Sequence, residues 1–284
     1  MRIGLIGAGK VGFTLGKWFV QGGIPVTGYY SRHRESAQAA AQFTGTTQYD
    51  DPEALLRDSD AVFLTVPDGE IPSVFQKLRA FELRGKHICH CSGALTVGDA
   101  FPDIGQTGAY GYSIHPLFPI SSRHESYREL AGAFFCLEGD EKHLSEWETL
   151  LTRLGASVQI IPAEQKARYH AACAIASNLV CALVQESLEL LVSCGFSEDR
   201  ALAALTPLLR SNLTHILESG PVEALTGPVE RCDTATVEKH LKCLPSEEER
   251  TLYRAASAKL VSMAQQKHPE RDYSSMNTLL KADP

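Results

Sequence analysis

No stretch of this chain holds the roughly 20 uninterrupted apolar residues that a membrane-spanning helix requires. Nor does a charged region followed by a greasy one precede the strand-like opening MRIGLIGAG. Neither a membrane partner nor a secretory signal is expected, and the cytoplasm is the expected compartment. A basic surplus is also missing: 27 Lys and Arg face 34 Asp and Glu, for a formal net charge of -7. That balance offers no basic face to a phosphate backbone, so nucleic acid is not an expected partner. Eight cysteines are present, Cys89, Cys91, Cys136, Cys173, Cys181, Cys194, Cys232 and Cys243, but no CxxC pair and no zinc-type spacing. They read as reduced thiols. The triplet Cys89-His90-Cys91 has no second half-site, and neighbours on a strand point to alternating faces, so no metal site is expected.

What is present is enough apolar material for two domains, with 44% hydrophobic residues in 284. Up to about residue 160, short runs rich in Val, Ile and Phe alternate with helical stretches. Strands are expected at Arg2–Ile6, Val26–Tyr30, Ala61–Val66, His87–Cys91, Tyr110–Ile114, Ala133–Leu137 and Val158–Ile161. Amphipathic helices are expected between them at Val11–Val20, Arg34–Phe43, Pro52–Arg57, Ile71–Leu78 and Leu144–Leu154. That alternation predicts a doubly wound, mainly parallel α/β sheet with right-handed crossovers. After Pro162 the strand signal stops. Glu164–Cys194 reads as one long helix ended by Gly195, followed by helices near Asp199–Ser219, Ala235–Leu241 and Ser246–Gln266. Pro162 suits a first helical turn after a strand and marks the expected boundary between an α/β domain, 1–162, and an all-helical domain, 163–284.

The first expected strand runs directly into Gly7-Ala8-Gly9-Lys10-Val11-Gly12, which places a GxGxxG between strand and helix as a Rossmann dinucleotide site requires. Gly7 permits the tight turn, Gly9 lets the backbone approach a pyrophosphate, and Gly12 lets the helix lie close to the strand. Lys10 and Val11 open the helix whose N-terminal amides face the anion. An acid at the end of the second strand would bind the ribose 2′-hydroxyl of NAD, and none is there. The segment Tyr30-Ser31-Arg32-His33-Arg34 instead offers Ser31, Arg32 and Arg34 to a 2′-phosphate, so the expected cofactor is NADP(H). Val66 and Pro67 end the next strand, and Ser92 and Gly93 the one after. Ligands bind beyond the carboxyl ends of such strands, which makes Val66 and Pro67 cofactor contacts and Ser92 and Gly93 substrate-site candidates.

On the nearly apolar helix that follows Pro162, Lys166, His170 and Asn178 stand four and eight residues apart on one face. Burial of this helix is expected, and its polar stripe is a candidate catalytic set, with His170 as proton donor and Asn178 as polariser of the reacting atom. His115, just past a strand end, and Arg231, able to hold a carboxylate bidentately, complete the candidates. Asp233 or Thr234 capping a helix is the structural alternative for the polarity around Arg231. The apolar positions of the C-terminal helices outnumber what so small a domain can bury, so a homodimer through them is expected.

The segments GAGKVG, TVPD, CHCSGAL, SIHPL, KARYHAACAIASN and LTGPVERCDTATVEKHL, in that order, give the whole chain a resemblance to a family of NADP oxidoreductases. That family joins a Rossmann-like domain to a helical C-terminal domain of unknown function. More distantly the chain is similar to the ketopantoate, pyrroline-5-carboxylate, 3-hydroxyisobutyrate and prephenate dehydrogenases and reductases. The resemblance implies hydride transfer between nicotinamide and a small carboxylate-bearing ketone or imine, held between the domains, with 2-dehydropantoate reduction as the first specific reaction. A prephenate-like or deazaflavin-linked reaction, or an NADPH sensor without turnover, is the alternative. His115-Pro116 resembles the histidine-proline segment of prephenate dehydrogenases, where the histidine faces substrate. Hydroxyacid members of the superfamily carry a lysine one turn before the asparagine, where this chain has Ala174, so the lysine's role does not transfer simply to Lys166.

Overall fold

The computed structural model describes residues 1–281. The chain divides into two compact units, Met1–Ser177 and Asn178–Pro284. The first holds eight strands: β1 (Ile3–Ile6), β2 (Val26–Tyr30), β3 (Thr47–Tyr49), β4 (Ala61–Leu64), β5 (His87–His90), β6 (Tyr110–Leu117), β7 (Phe134–Gly139) and β8 (Ser157–Ile160). Its helices are α1 (Lys10–Gln21), α2 (Arg34–Thr44), α3 (Pro52–Asp58), α4 (Ile71–Leu78), α5 (Val97–Ala100), α6 (Leu144–Arg153) and α7 (Lys166–Ala176). The second unit is helical throughout: α8 (Asn178–Ser193), α9 (Glu198–Ser219), α10 (Pro221–Ala224), α11 (Thr234–Cys243), α12 (Glu247–Lys267) and α13 (Ser274–Lys281).

The strands form one sheet in the order β3-β2-β1-β4-β5-β6-β7-β8. Every neighbouring pair is parallel except β6 and β7. This is the expected doubly wound arrangement, and its topological reversal beside β1 puts the crevice where a dinucleotide fits. β1 and β4 are buried at every position, as strands covered on both faces must be. Phe13, Phe19, Phe63, Trp147 and Leu151 pack on one face of the sheet, and Leu55, Leu64, Phe75 and Phe101 on the other. β3 was not expected, because Thr47-Gln48-Tyr49 carries no apolar alternation. It forms through pairing with β2.

Two expectations about the helices are corrected. The stretch 164–194 is not one helix, since the backbone leaves helical geometry at Ser177 (φ -122°, ψ -71°) between α7 and α8. The division between the two compact units falls after α7. α7 stays with the sheet because the Lys166 ammonium donates to Ser113 Oγ and the Tyr169 hydroxyl meets His115 Nδ1 at 2.7 Å. Nor is the apolar stretch buried: Lys166 is the one buried residue in α7, and α8 has none. The core of the second unit lies instead among α11, α12 and α13, around Val237, Leu241, Val261, Tyr273 and Met276.

α1 lies close to the sheet through glycine. A Cβ on Gly16 would stand 1.7 Å from the hydroxyl oxygen of buried Tyr29, whose hydroxyl donates to Gly12 O at 3.2 Å. Gly16→Ala should therefore cost about 1–3 kcal/mol through overpacking. The penalty should shrink in a Tyr29→Phe background, where the hydroxyl is gone. Urea unfolding of the four proteins of this double-mutant cycle gives the comparison, and equal penalties in both backgrounds would show that the contact does not govern the helix position.

Candidate functional site

At the carboxyl ends of β1, β2 and β4 a cleft of about 280 Å³ opens, lined by Gly7, Ala8 and Gly9, by Tyr30 to His33 and by Thr65 to Pro67. The glycines divide the work as their spacing predicts. Gly7 has φ +107°, and a Cβ there would meet the Thr65 carbonyl oxygen at 2.5 Å. A Cβ on Gly12 would come within 2.6 Å of Gly7 O, so that position sets how closely α1 approaches the turn. Nothing lies within 4 Å of a Cβ on Gly9, which leaves the space above it open. α1 begins without a side-chain cap and without an acid in its first turn, so its leading amides point positive partial charge at the cleft.

The candidate 2′-phosphate residues separate. Ser31 and Arg32 line the cleft, whereas Arg34 is outside its lining and pairs with Asp50 at 3.2 Å. Arg32 lies 3.3 Å from Glu70 in an exposed pair. Val66 and Pro67 line the cleft as expected; Lys10, Val11 and Gly12 do not, although they form the first turn of α1. Sequence reasoning missed His33, Ser36, Glu70, Lys77 and Arg123, which also line the cleft.

Directly after Pro67 begins a polar chain, exposed at Asp68 and buried from Ser92 onward. The Ser92 hydroxyl donates to Asp68 Oδ2 at 2.6 Å and accepts from the amides of Ala94 (3.2 Å) and Leu95 (3.0 Å). Ser113 Oγ donates to the Ser92 carbonyl at 3.3 Å and accepts from the Lys166 ammonium. Lys166 is fully buried, and among the described residues no carboxylate lies within ion-pair distance of it. Burial lowers its pKa from the ordinary lysine value, opposed by the more distant acidic side chains of Cys136, Glu138, Cys91 and Asp68.

His115, Tyr169 and His170 form the adjoining cluster. Burial, the Lys166 charge and His170 push His115 down to about 4, while burial raises Tyr169 above the ordinary tyrosine range. At neutral pH the phenol therefore keeps its proton and is joined by its hydrogen bond to Nδ1 of a neutral His115 ring. A Cβ on Gly93 would meet His170 Cδ2 at 2.4 Å and His115 Nε2 at 2.9 Å, so the absence of a side chain at Gly93 makes room for both rings. His115, His170, Lys166, Ser92 and Gly93 thus come together in the first unit. Asn178 and Arg231 belong to the second, where both are exposed. Asp233 caps α11 by accepting from Thr236 N at 3.0 Å, as the structural reading of that segment held.

One cluster was not foreseen. His87, His143 and Glu146 gather at the opposite end of β5 from Ser92 with metal-ligand spacing. Trp147 Nε1–H, however, donates to His87 Nδ1 at 3.2 Å and His143 Nδ1 contacts Glu146 at 2.6 Å, so two of the ring nitrogens already have protein partners.

Residues 1–116 match the Rossmann-like domain and residues 133–260 match the domain of unknown function DUF2520. The two matches follow one another along the chain, in the order α/β unit and then mainly helical region. Protein TM1727 of Thermotoga maritima is similar at 28% identity and a TM-score of 0.71, over 93% of this chain and 99% of that one. BF3122 of Bacteroides fragilis, designated an NADP oxidoreductase, is similar at 21% identity and 0.69, over 92% and 98%. A reductive aminase from Aspergillus terreus, in complex with NADPH and ethyl-5-oxohexanoate, shares the fold at 15% identity and 0.60, over 99% and 92%. No curated protein matches the sequence.

His90 supplies a pH test of this architecture. It is fully buried, its Nδ1 accepts from Ser92 N at 3.2 Å, and burial followed by repulsion from Lys166 and His115 drives it down to about 3. The unfolded chain takes up this proton near pH 6.5, but the folded chain does so only near 3. Stability should therefore fall as pH drops from about 6.5 towards 3, by up to roughly 1.4 kcal/mol per pH unit from this one ring. Urea midpoints between pH 6.5 and 4 should fall less steeply for His90→Gln, and an unchanged slope would remove His90 as a source of acid lability.

Proposed function

We propose that this Rossmann-like and DUF2520 chain is an NADPH-dependent reductase of a small carbonyl or imine compound. The observation that carries the reading is the adjacency of the dinucleotide cleft, whose wall includes Pro67, and the polar chain, which starts at the next residue, Asp68. NADPH is favoured over NADH by Ser31 and Arg32 in the cleft wall and by the absence of an acid at the end of β2. The designation of BF3122 and the NADPH bound to the reductive aminase agree with that choice.

Bound NADPH supplies the hydride. As hydride reaches the acceptor carbon, electron density grows on its oxygen or nitrogen, and the protein must meet it with hydrogen-bond donors and a proton. His115 offers a neutral imidazole held in place by the Tyr169 hydroxyl at its Nδ1. His170, half-buried and without a hydrogen bond to another described residue, is assigned as the proton donor. Lys166 adds a buried positive charge beside them and orients Ser113. The expected substrate is small and carboxylate-bearing, with 2-dehydropantoate the first compound to try.

Incubation with NADPH and a panel of 2-oxo acids and cyclic imines, followed by nicotinamide absorbance, tests the proposal. Consumption with at least one member is expected. His170→Ala should then lower turnover on the order of 10²–10⁴-fold while leaving NADPH affinity nearly unchanged. Binding of NADPH without consumption across the panel would favour a sensor, and unimpaired turnover in His170→Ala would move the proton donor elsewhere.

We also infer that the working form is a homodimer paired through α8 and α9. Leu179 (53% exposed), Leu202 (51%), Leu208 (65%) and Leu217 (85%) lie open on these helices, an apolar surface that a second copy can cover symmetrically. Light scattering at micromolar concentration should give twice the 31.0 kDa chain mass, and Leu208→Glu with Leu217→Glu should halve it. A wild-type monomer would rule the pairing out.

A further inference from the structure

The connection from β6 to β7 passes over α1 and is pinned there. Thr14 Oγ1 donates to Ser122 O at 3.5 Å, and Ser122 N donates to Ser126 Oγ at 3.1 Å. The His124 ring stands edge-on to Phe13 at 5.5 Å and to Phe43 at 5.0 Å, wedged between α1 and the end of α2. Tyr127 and Leu130 anchor the far side of the connection in the main core. The residue between Ser122 and His124 is Arg123, and it is thereby carried to the dinucleotide cleft. Its guanidinium lies over the Phe13 ring, 5.5 Å from the centroid, and the residue lines the cleft together with the glycine turn.

The charges around the cleft give this arginine its meaning. Arg32 is engaged with Glu70 and Arg34 with Asp50. Glu125, the acid nearest to Arg123 in sequence, pairs with Arg128 at 2.5 Å. Among the described residues Arg123 has no ion pair, although it lines the same cleft as Gly7 and Gly9, where α1 begins. A planar guanidinium held against an aromatic face keeps its fork of donors free for an oxyanion.

We propose that Arg123 is a phosphate-binding residue of the cofactor site, reaching over α1 from the β6–β7 connection to hold a phosphate of the dinucleotide. The assignment rests on the NADP(H) reading above and adds to it a residue about 90 positions beyond the β2 segment where a Rossmann site is ordinarily read for such arginines.

Fluorescence titration of the full chain with NADPH and with NADH, for wild type, Arg123→Ala and Arg123→Lys, tests it. Arg123→Ala should weaken NADPH binding by tenfold to roughly a hundredfold, the loss typical of one charge-assisted contact. Arg123→Lys should recover part of that loss, since it keeps the charge and loses the fork. A loss confined to NADPH places the contact on the 2′-phosphate, and an equal loss for both nucleotides places it on the pyrophosphate. Arg123 is exposed, so the thermal midpoints of the unliganded proteins should agree and serve as the folding control. Unchanged affinity of Arg123→Ala for both nucleotides, with wild type binding NADPH, overturns the assignment alone. Failure of wild type to bind either nucleotide overturns the cofactor reading and the assignment together.

Discussion

A single buried contact, the Lys166 ammonium on the Ser113 hydroxyl, fixes most of what is distinctive in the first unit. Burying an ammonium without a carboxylate partner is costly, and the cost is limited only by hydrogen bonds and by acidic groups further away. The interaction cannot slip without stranding the charge, so it holds the first turn of α7 against β6. Tyr169 and His170 are three and four residues further along the same helix, which sets them above His115 and Gly93. The orientation of the His115 ring follows in turn from the Tyr169 hydroxyl at its Nδ1. One buried charge thus determines the position of a helix and, through the helix, the hydrogen-bond donors of the neighbouring cluster.

The cleft is organised on the opposite principle, by what is left out. Three glycines keep side chains out of the turn and the face of α1, and no acid occupies the first helical turn. Its cations differ in how firmly they are committed. The Arg32–Glu70 pair is exposed on both sides, and such pairs contribute about 0–1 kcal/mol, so Arg32 can be drawn to a phosphate at little cost. Arg34 is equally exposed but lies outside the lining, engaged with Asp50. A cluster of basic residues in the sequence is therefore not a cluster in function, because one residue of α2 turns towards β3 while its neighbour turns towards the cleft.

The glycine fingerprint, the strand ends at Val66-Pro67 and the sheet class were legible in the sequence because each is encoded within a few consecutive residues. The polar chain was not. Ser92 meets Asp68 across 24 positions, Ser113 meets Ser92 across 21, and Lys166 meets Ser113 across 53. No spacing rule joins hydroxyls that only the order of β4, β5 and β6 brings together. Ser92 and Lys166 were found as isolated candidates, from a strand end and from polarity on an apolar helix, but Ser113 and Asp68 carried no signal of their own. The break at Ser177 was equally silent, since the sequence around it, Ala-Ile-Ala-Ser-Asn, contains neither proline nor glycine and reads as continuous helix. That break matters because it places His170 and Asn178, which a straight helix would align on one face, in different units.

The same apolar helix shows how composition alone can mislead about environment. Ala163–Ser193 is long and apolar enough to cross a membrane, with a mean hydropathy of 1.5, and its most apolar stretch is unburied. A span, however, must free its whole length from other structure and satisfy its backbone internally. Here the first third is held to the sheet by Lys166 and Tyr169, and the backbone leaves helical geometry at Ser177. What remains after the break, α8, has 16 residues, about 24 Å at 1.5 Å each, and carries Gln185, Glu186 and Glu189. It is too short and too charged for a hydrocarbon core about 30 Å thick. Its exposed leucines also continue onto α9, whose first turn carries Glu198 and Asp199, so the apolar surface is shared by two helices and edged with charge. Lipid surrounds a helix on all sides, whereas a surface of this kind, apolar across two helices and polar at the margin, matches the pattern of a protein interface.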